Sequence, residues 1–265
     1  MVKHKPRGAF NRVLGEAAPP SGIVAASGGN HGLAVAYVGR ELGIPVTVFV
    51  PEVTPQVKRR RIAEQGADVV VAGAIYDEAL AVSRHHLAET GGLEVHAYDH
   101  PLTVAGQGTM ARELDEQAPD LDAVLVAVGG GGLIGGVAAW FEGRARVVSV
   151  EPRSIPAMAR ALEAGAPVEV DVSGLAADSL GARRIGDVPF AIASRFVDEA
   201  VLVSDDDIRA AQRWLWDQVR IVAEPGGATA FAALLSGAYR GPARERLAVV
   251  VCGANTDPAT VTAHG

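Results

Sequence analysis

The chain has 265 residues, enough for one large or two smaller domains. Its net charge of -7 argues against a nucleic-acid-binding face, and no apolar stretch is long enough and free enough of polar breaks to span a bilayer. The single cysteine excludes an internal disulfide framework and a cysteine-based zinc site, and the start Met1-Val2-Lys3-His4-Lys5-Pro6 lacks the apolar core of a signal peptide, so a cytoplasmic setting is expected.

Lys5-Pro6-Arg7-Gly8-Ala9-Phe10-Asn11 reads as a helix start with proline early. Strands are then predicted at Ile23–Ala26, Val46–Val50, Asp68–Val71 and Glu94–His96, separated by helices near 31–43, 55–65 and 76–90. A helix near 103–117 leads into the second half. There, strands at Ala123–Val128, Arg146–Val150, Ala200–Val203 and Leu247–Val251 alternate with helices near 133–142, 154–164, 205–219 and 226–238. Gly43, Gly66 and Gly91-Gly92 stand where helices should stop. Residues 166–195 are the least regular and are expected to be loops around a site. Lys58-Arg59-Arg60-Arg61 reads as a solvated helix face.

Such alternation predicts the α/β class, with mostly parallel sheets flanked by helices. Residues 10–110 are expected to form a smaller lobe, and residues 1–9 with 111–265 a larger one. A cleft between α/β lobes is a usual place for a cofactor.

Three places carry chemistry. Gly129, Gly130, Gly131 and Gly132 join the strand ending at Val128 to the helix opening at Leu133. Glycine at such a joint lets backbone N–H groups turn toward an anion, and the helix N-terminus adds about half a unit of positive charge, so a phosphate is expected there. Gly130 to Gly135 also satisfies G-x-G-x-x-G, with Glu151 at the spacing of a ribose-binding acid, so a nicotinamide-dependent oxidoreductase stays open, as does a ligand-free packing turn. The second place is Ser27-Gly28-Gly29-Asn30-His31-Gly32, between a strand and a helix. It offers a hydroxyl, a carboxamide, an imidazole and several N–H groups, a set that suits a small carboxylate; Ser27 or Asn30 acting only as an N-cap is the alternative. The third is Lys5. Of 24 Lys and Arg side chains only Lys3, Lys5 and Lys58 are lysine, so a property arginine lacks, losing a proton or forming a covalent link to a carbonyl, can explain its place; a solvated terminus is the other reading.

Lys5-Pro6-Arg7-Gly8-Ala9, Ser27 to Gly32, Gly129 to Leu133 and Val251-Cys252-Gly253-Ala254-Asn255 together resemble, in order and spacing, the fold-type II pyridoxal-phosphate enzymes, in particular the serine/threonine dehydratase branch. Leu42-Gly43-Ile44-Pro45 and Val104-Ala105-Gly106-Gln107-Gly108-Thr109 are similar to that family's segments as well, so the likeness covers the chain from Lys5 onward. It implies a two-lobed, tryptophan synthase beta-like architecture and pyridoxal 5'-phosphate as cofactor. By the same resemblance Lys5 is the lysine joined to the cofactor, Gly129 to Leu133 cradle its phosphate, and Asn30 bonds its ring hydroxyl. Cys252 faces the pyridine nitrogen, and Ser27, Gly28, Asn30 and His31 lie in the loop that receives the substrate carboxylate. The implied reaction is β-elimination from a small amino acid, serine or threonine, to a 2-oxo acid and ammonia, and a homodimer is the family's frequent assembly.

Departures shape the expectation further. The family carries several dozen residues before its lysine, where this chain has four, so an N-terminally shortened chain is expected, with an inactive cofactor-binding remnant as the alternative. The racemases of the branch use a serine where Gly28 stands, which makes racemisation the lesser expectation. Ala157 replaces the aspartate that accompanies Glu151 in metal-binding members, so no metal is expected.

Overall fold

The computed structural model describes residues 4–262. The chain divides into two compact units, one of Lys5–Gly106 and the other of His4 with the residues from Gln107 onward. Among the described residues the strands form two four-stranded sheets, one in each unit, and every pairing is parallel.

The first unit runs α1 (His4–Gly15), β1 (Ile23–Ala26), α2 (Asn30–Leu42), β2 (Val46–Val50), α3 (Gln56–Ala63), β3 (Asp68–Val71), α4 (Tyr76–Thr90) and β4 (Leu93–Glu94). Its sheet has the order β3-β2-β1-β4, with Ile23 opposite Val46 on one side and Leu93 on the other. Neighbouring parallel strands need a crossover, and the helices supply it while covering the sheet. Ala25, Val48, Val50, Val35, Val38 and Ile62 make the core, built mostly from small aliphatics. α2 and α4 end at Gly43 and Gly91, both left-handed, as their positions predict.

The helix α5 (Pro101–Gln117) follows β4. It approaches α1 so closely at Gly106 that a Cβ there would lie 2.7 Å from Gly8 Cα. Two glycines facing each other thus seat the helix that carries Lys5.

The second unit continues with β5 (Ala123–Ala127), α6 (Gly132–Phe141), β6 (Arg146–Pro152), α7 (Ala157–Ala164), α8 (Ala177–Leu180), α9 (Asp187–Phe196), β7 (Glu199–Val203), α10 (Asp205–Val219), α11 (Pro225–Ser236), β8 (Leu247–Val249) and α12 (Ala259–Thr262). The order is β7-β6-β5-β8. β5 is buried along its whole length, and its side chains alternate between two cores. Val124 and Val126 pack with Ile134, Val137 and Phe141 of α6; Leu125 and Ala127 pack with Ala228 and Ala232 of α11.

Two expectations are revised. The strand predicted at Glu94–His96 is shorter, because the chain turns at Tyr98 and Asp99, whose N–H groups donate to the His96 ring. Residues 166–195 are not all loop: from Asp187 they wind into α9, which buries Pro189 and Ala193 and packs Phe196 against the α6 core. No helix among the described residues is long and apolar enough to cross a membrane.

Candidate active site

Each sheet order reverses direction once, beside β1 in the first unit and beside β5 in the second. The crevice outside the C-terminal ends of strands at such a point is where open α/β sheets bind ligands. The glycine turns and Cys252 singled out in the sequence lie on segments leaving such strand ends, whereas Lys5 and Glu151 do not. Ser27–His31 follows β1, and its neighbour β4 runs into Val95–Ala97; Gly129–Gly132 follows β5, and its neighbour β8 runs into Cys252.

In the first unit, Lys5 sits in the first turn of α1 and donates from Nζ to Ala97 O at 3.1 Å, partly buried. Its charge reaches both His31 and His96 and helps keep each below the usual histidine pKa. Lys5 and the glycine loop after β1 are therefore brought together, and the solvated-terminus reading does not describe this amine.

That loop does not end in a side-chain cap. The N-cap of α2 is Gly29, and no side chain bonds the helix start; Ser27 Oγ instead accepts from Gly29 N at 3.2 Å. Neither Ser27 nor Asn30 occupies the N-cap position of α2. His31 turns inward. Its ring is 5 % exposed, Nε2 donates to Val95 O at 2.6 Å, and Nδ1 is buried without a partner. A carbonyl only accepts, so the proton is on Nε2. Burial first, then the charge of Lys5, lower the pKa to about 3, and the ring stays neutral.

Gly28 packs against Thr54, a buried residue absent from the sequence reading; a Cβ on Gly28 would overlap the Thr54 side chain. Gly28→Ser is expected to lower stability by about 1–3 kcal/mol through overpacking, and Thr54→Ala added to it should recover part of the loss. Urea unfolding checks this; a G28S chain as stable as the parent would contradict it.

In the second unit, the tetraglycine turn is shaped by its neighbours. Gly131 is the N-cap of α6 in the left-handed region (φ 91°), with no side-chain cap. A Cβ on Gly131 would lie 2.8 Å from Pro189 Cβ, and one on Gly129 would lie 3.3 Å from Leu180 Cα. Gly130 O accepts from Gly186 N at 3.1 Å. The segment once read as loop thus walls the turn, and α6 presents its N-terminal N–H groups behind it. Cys252 is buried among the same core residues as Leu133, and Gly227 of α11 lies directly on its carbonyl. Beside it, Glu224 N donates to Gly253 O at 3.1 Å and the buried Glu224 side chain packs on Gly253. Glu224 and Asn255 also line a cavity of about 330 Å³. The sequence signal for this Glu is the run Glu224-Pro225-Gly226-Gly227 at the start of α11.

Glu151 is not placed for a ribose. It is 0 % exposed, and its two oxygens accept the N–H groups of Met158 (2.7 Å) and Ala159 (2.9 Å), so it caps α7. Burial raises its pKa to about 7. Among the described residues no group of three or more His, Cys, Asp or Glu side chains is arranged to hold a metal ion.

The chain is 36 % identical over 259 residues to an L-threonine ammonia-lyase of Thermotoga maritima, covering 96 % of this chain and 64 % of that protein. It is 38 % identical over 236 residues to a biosynthetic L-threonine dehydratase of Pasteurella multocida, covering 87 % of this chain and 46 % of that one. The chain therefore spans about half to two thirds of the length of these relatives. The solved structure of the processed form of threonine deaminase isoform 2 from Solanum lycopersicum superposes with a TM-score of 0.90 at 32 % identity, over 98 % of this chain and 78 % of that one. A family model for pyridoxal-phosphate dependent enzymes matches residues 4–253. With both sheets, both glycine turns and the lysine helix inside that match, the chain belongs to the family of pyridoxal-phosphate dependent enzymes, of fold-type II.

Proposed function

We propose that this chain is an ammonia-lyase that uses pyridoxal phosphate to remove the β-hydroxyl and the amino group of threonine or serine, leaving a 2-oxo acid and ammonia. The observation that carries the proposal is the Lys5 amine, partly buried, held on Ala97 O and close enough to the loop after β1 to depress the basicity of His31.

The residues present fit the cofactor. The N-terminus of α6 lacks a side-chain cap behind a left-handed glycine, which suits a phosphate. Gly129, Gly130, Gly131, Gly132 and Leu133 would hold that phosphate, Asn30 the ring hydroxyl, and Cys252 would stand at the ring nitrogen as a neutral partner with a weak S–H donor. Bound pyridoxal phosphate supplies a conjugated ring that takes up the electron pair released at the substrate Cα. The protein supplies the rest. Lys5 would hold the cofactor, and its amine would take the Cα proton as general base. The loop Ser27–Asn30 and the start of α2 would receive the substrate carboxylate, with Ser27 N already given to Phe49 O and Gly29 N to Ser27 Oγ. His31 stays neutral, so it brings no second positive charge and acts by tying α2 to the end of β4.

Elimination is favoured over racemisation because residue 28 brings no hydroxyl. The hydroxyl of Thr54 does lie against Gly28, so the recovered substrate is to be checked for its enantiomer; racemised serine would turn the reading toward a racemase with Thr54 as the group to replace. Ammonia and 2-oxo acid release from threonine and serine, with added pyridoxal phosphate, tests the main reading, and no release from either would overturn it. The same reading carries a homodimer and a cytoplasmic setting.

A further inference from the structure

The segment after β4 holds both Lys5 and His31. Val95 O accepts from His31 Nε2 at 2.6 Å, and Ala97 O accepts from Lys5 Nζ at 3.1 Å. The side chain between these two carbonyls keeps the segment in shape. His96 Nδ1 lies 2.8 Å from Asp99 N and 3.4 Å from Tyr98 N. Backbone N–H groups only donate, so Nδ1 is the unprotonated nitrogen and the ring proton sits on Nε2. The ring stands edge-on to Tyr98, centroids 4.9 Å apart, and His96 O accepts from the buried Thr103 hydroxyl at 3.4 Å.

We propose that His96 is a positioning residue for Lys5: its Nδ1 lone pair fixes the turn at Tyr98-Asp99 that sets Ala97 O under the lysine amine and Val95 O under the His31 ring. This rests on Lys5 being the cofactor lysine. Protonation at Nδ1 would put a donor against two donors, so the turn opens in acid. The charged and titratable groups around the ring are Glu94 and Asp99, which favour its protonation, Lys5 and Arg84, which oppose it, and His31. Burial outweighs them and holds the ring below the usual histidine value.

Two variants separate position from bulk. In His96→Asn the Oδ1 atom takes the place of Nδ1 and does not titrate; His96→Phe keeps an aromatic ring and accepts nothing. The experiment reads the fraction of Lys5 joined to pyridoxal phosphate and fixed by borohydride, by mass of the Lys5 peptide, from about pH 5 to about pH 8, alongside ammonia release. H96N is expected within about threefold of the parent at the upper end and to fall away less steeply in acid; H96F is expected to lose about tenfold or more, chiefly in kcat rather than KM. Parent-like trapping by H96F, or the same acid limb in the parent and H96N, would overturn the proposal. Should H96F fail to fold, the acid limb of the parent against H96N decides alone. Trapping on Lys5 with no ammonia release would sink the lyase reading and leave the positioning role standing on the trapping data.

Discussion

Lys5→Arg is expected to be as inactive as Lys5→Ala, with ammonia release down by at least about a thousandfold in both. Arginine keeps the positive charge and a donor for Ala97 O, so it preserves what a structural lysine would do. It does not lose its proton near neutral pH, and it does not form the carbonyl link. Both variants are expected to fold, since the hydrogen bond to Ala97 O is only partly buried and a bond of that kind contributes only about 0.5–1.5 kcal/mol. Steady-state ammonia assays with thermal melts check this. Appreciable activity in the arginine variant would show that Lys5 acts by charge alone.

The second large effect is acid sensitivity of the first unit. Unfolded His31 binds a proton below about pH 6.5, whereas the folded ring resists until about pH 3. Between those values the unfolded chain binds more protons, so stability is full above about 6.5 and falls as the pH drops, by about 1.4 kcal/mol for each unit. Over that window the loss is several kcal/mol, comparable with the whole stability of a small domain. His96 and His100 are lowered too and act in the same direction. Glu151, in the other unit, acts oppositely: its raised pKa means that the stability tied to its protonated form is full below 4.5 and lost as pH rises through about 7. His31→Gln keeps an N–H for Val95 O without titrating, so amide exchange of the β1 and β2 peptides should lose most of its acid dependence in that variant. An unchanged acid profile in H31Q would place the sensitivity elsewhere.

Much of the fold was legible because buried parallel strands are apolar runs. Ile23–Ala26 and Val46–Val50 have the predicted bounds, with Gly22 and Pro45 just before them, and so has the more exposed edge strand Asp68–Val71. α9 was missed because its buried positions, Pro189 and Ala193, follow Gly186 and include a proline, which reads as loop until it is seen to sit in the first turn. The turns after β1, β5 and β8 were each legible as glycine at the ends of apolar runs. What spacing does not encode is which strands become neighbours. His31 looked like a group facing a ligand; because β4 lies beside β1, its ring meets Val95 O instead. Thr54 against Gly28, Glu224 against Gly253 and His96 beside Lys5 come from the same kind of distant pairing. Glu151 matched a dinucleotide spacing because an acid at the C-terminal end of a strand also stands where the next helix start needs an acceptor.

The most direct measurement of the central claim is the site of covalent attachment. Purified protein is mixed with pyridoxal phosphate, reduced with borohydride and digested, and the modified peptide is identified by mass. The expected result is a single reduced pyridoxyl group on Lys5. Attachment at Lys3 or Lys58 instead, or cofactor retained with no lysine modified, would contradict the account.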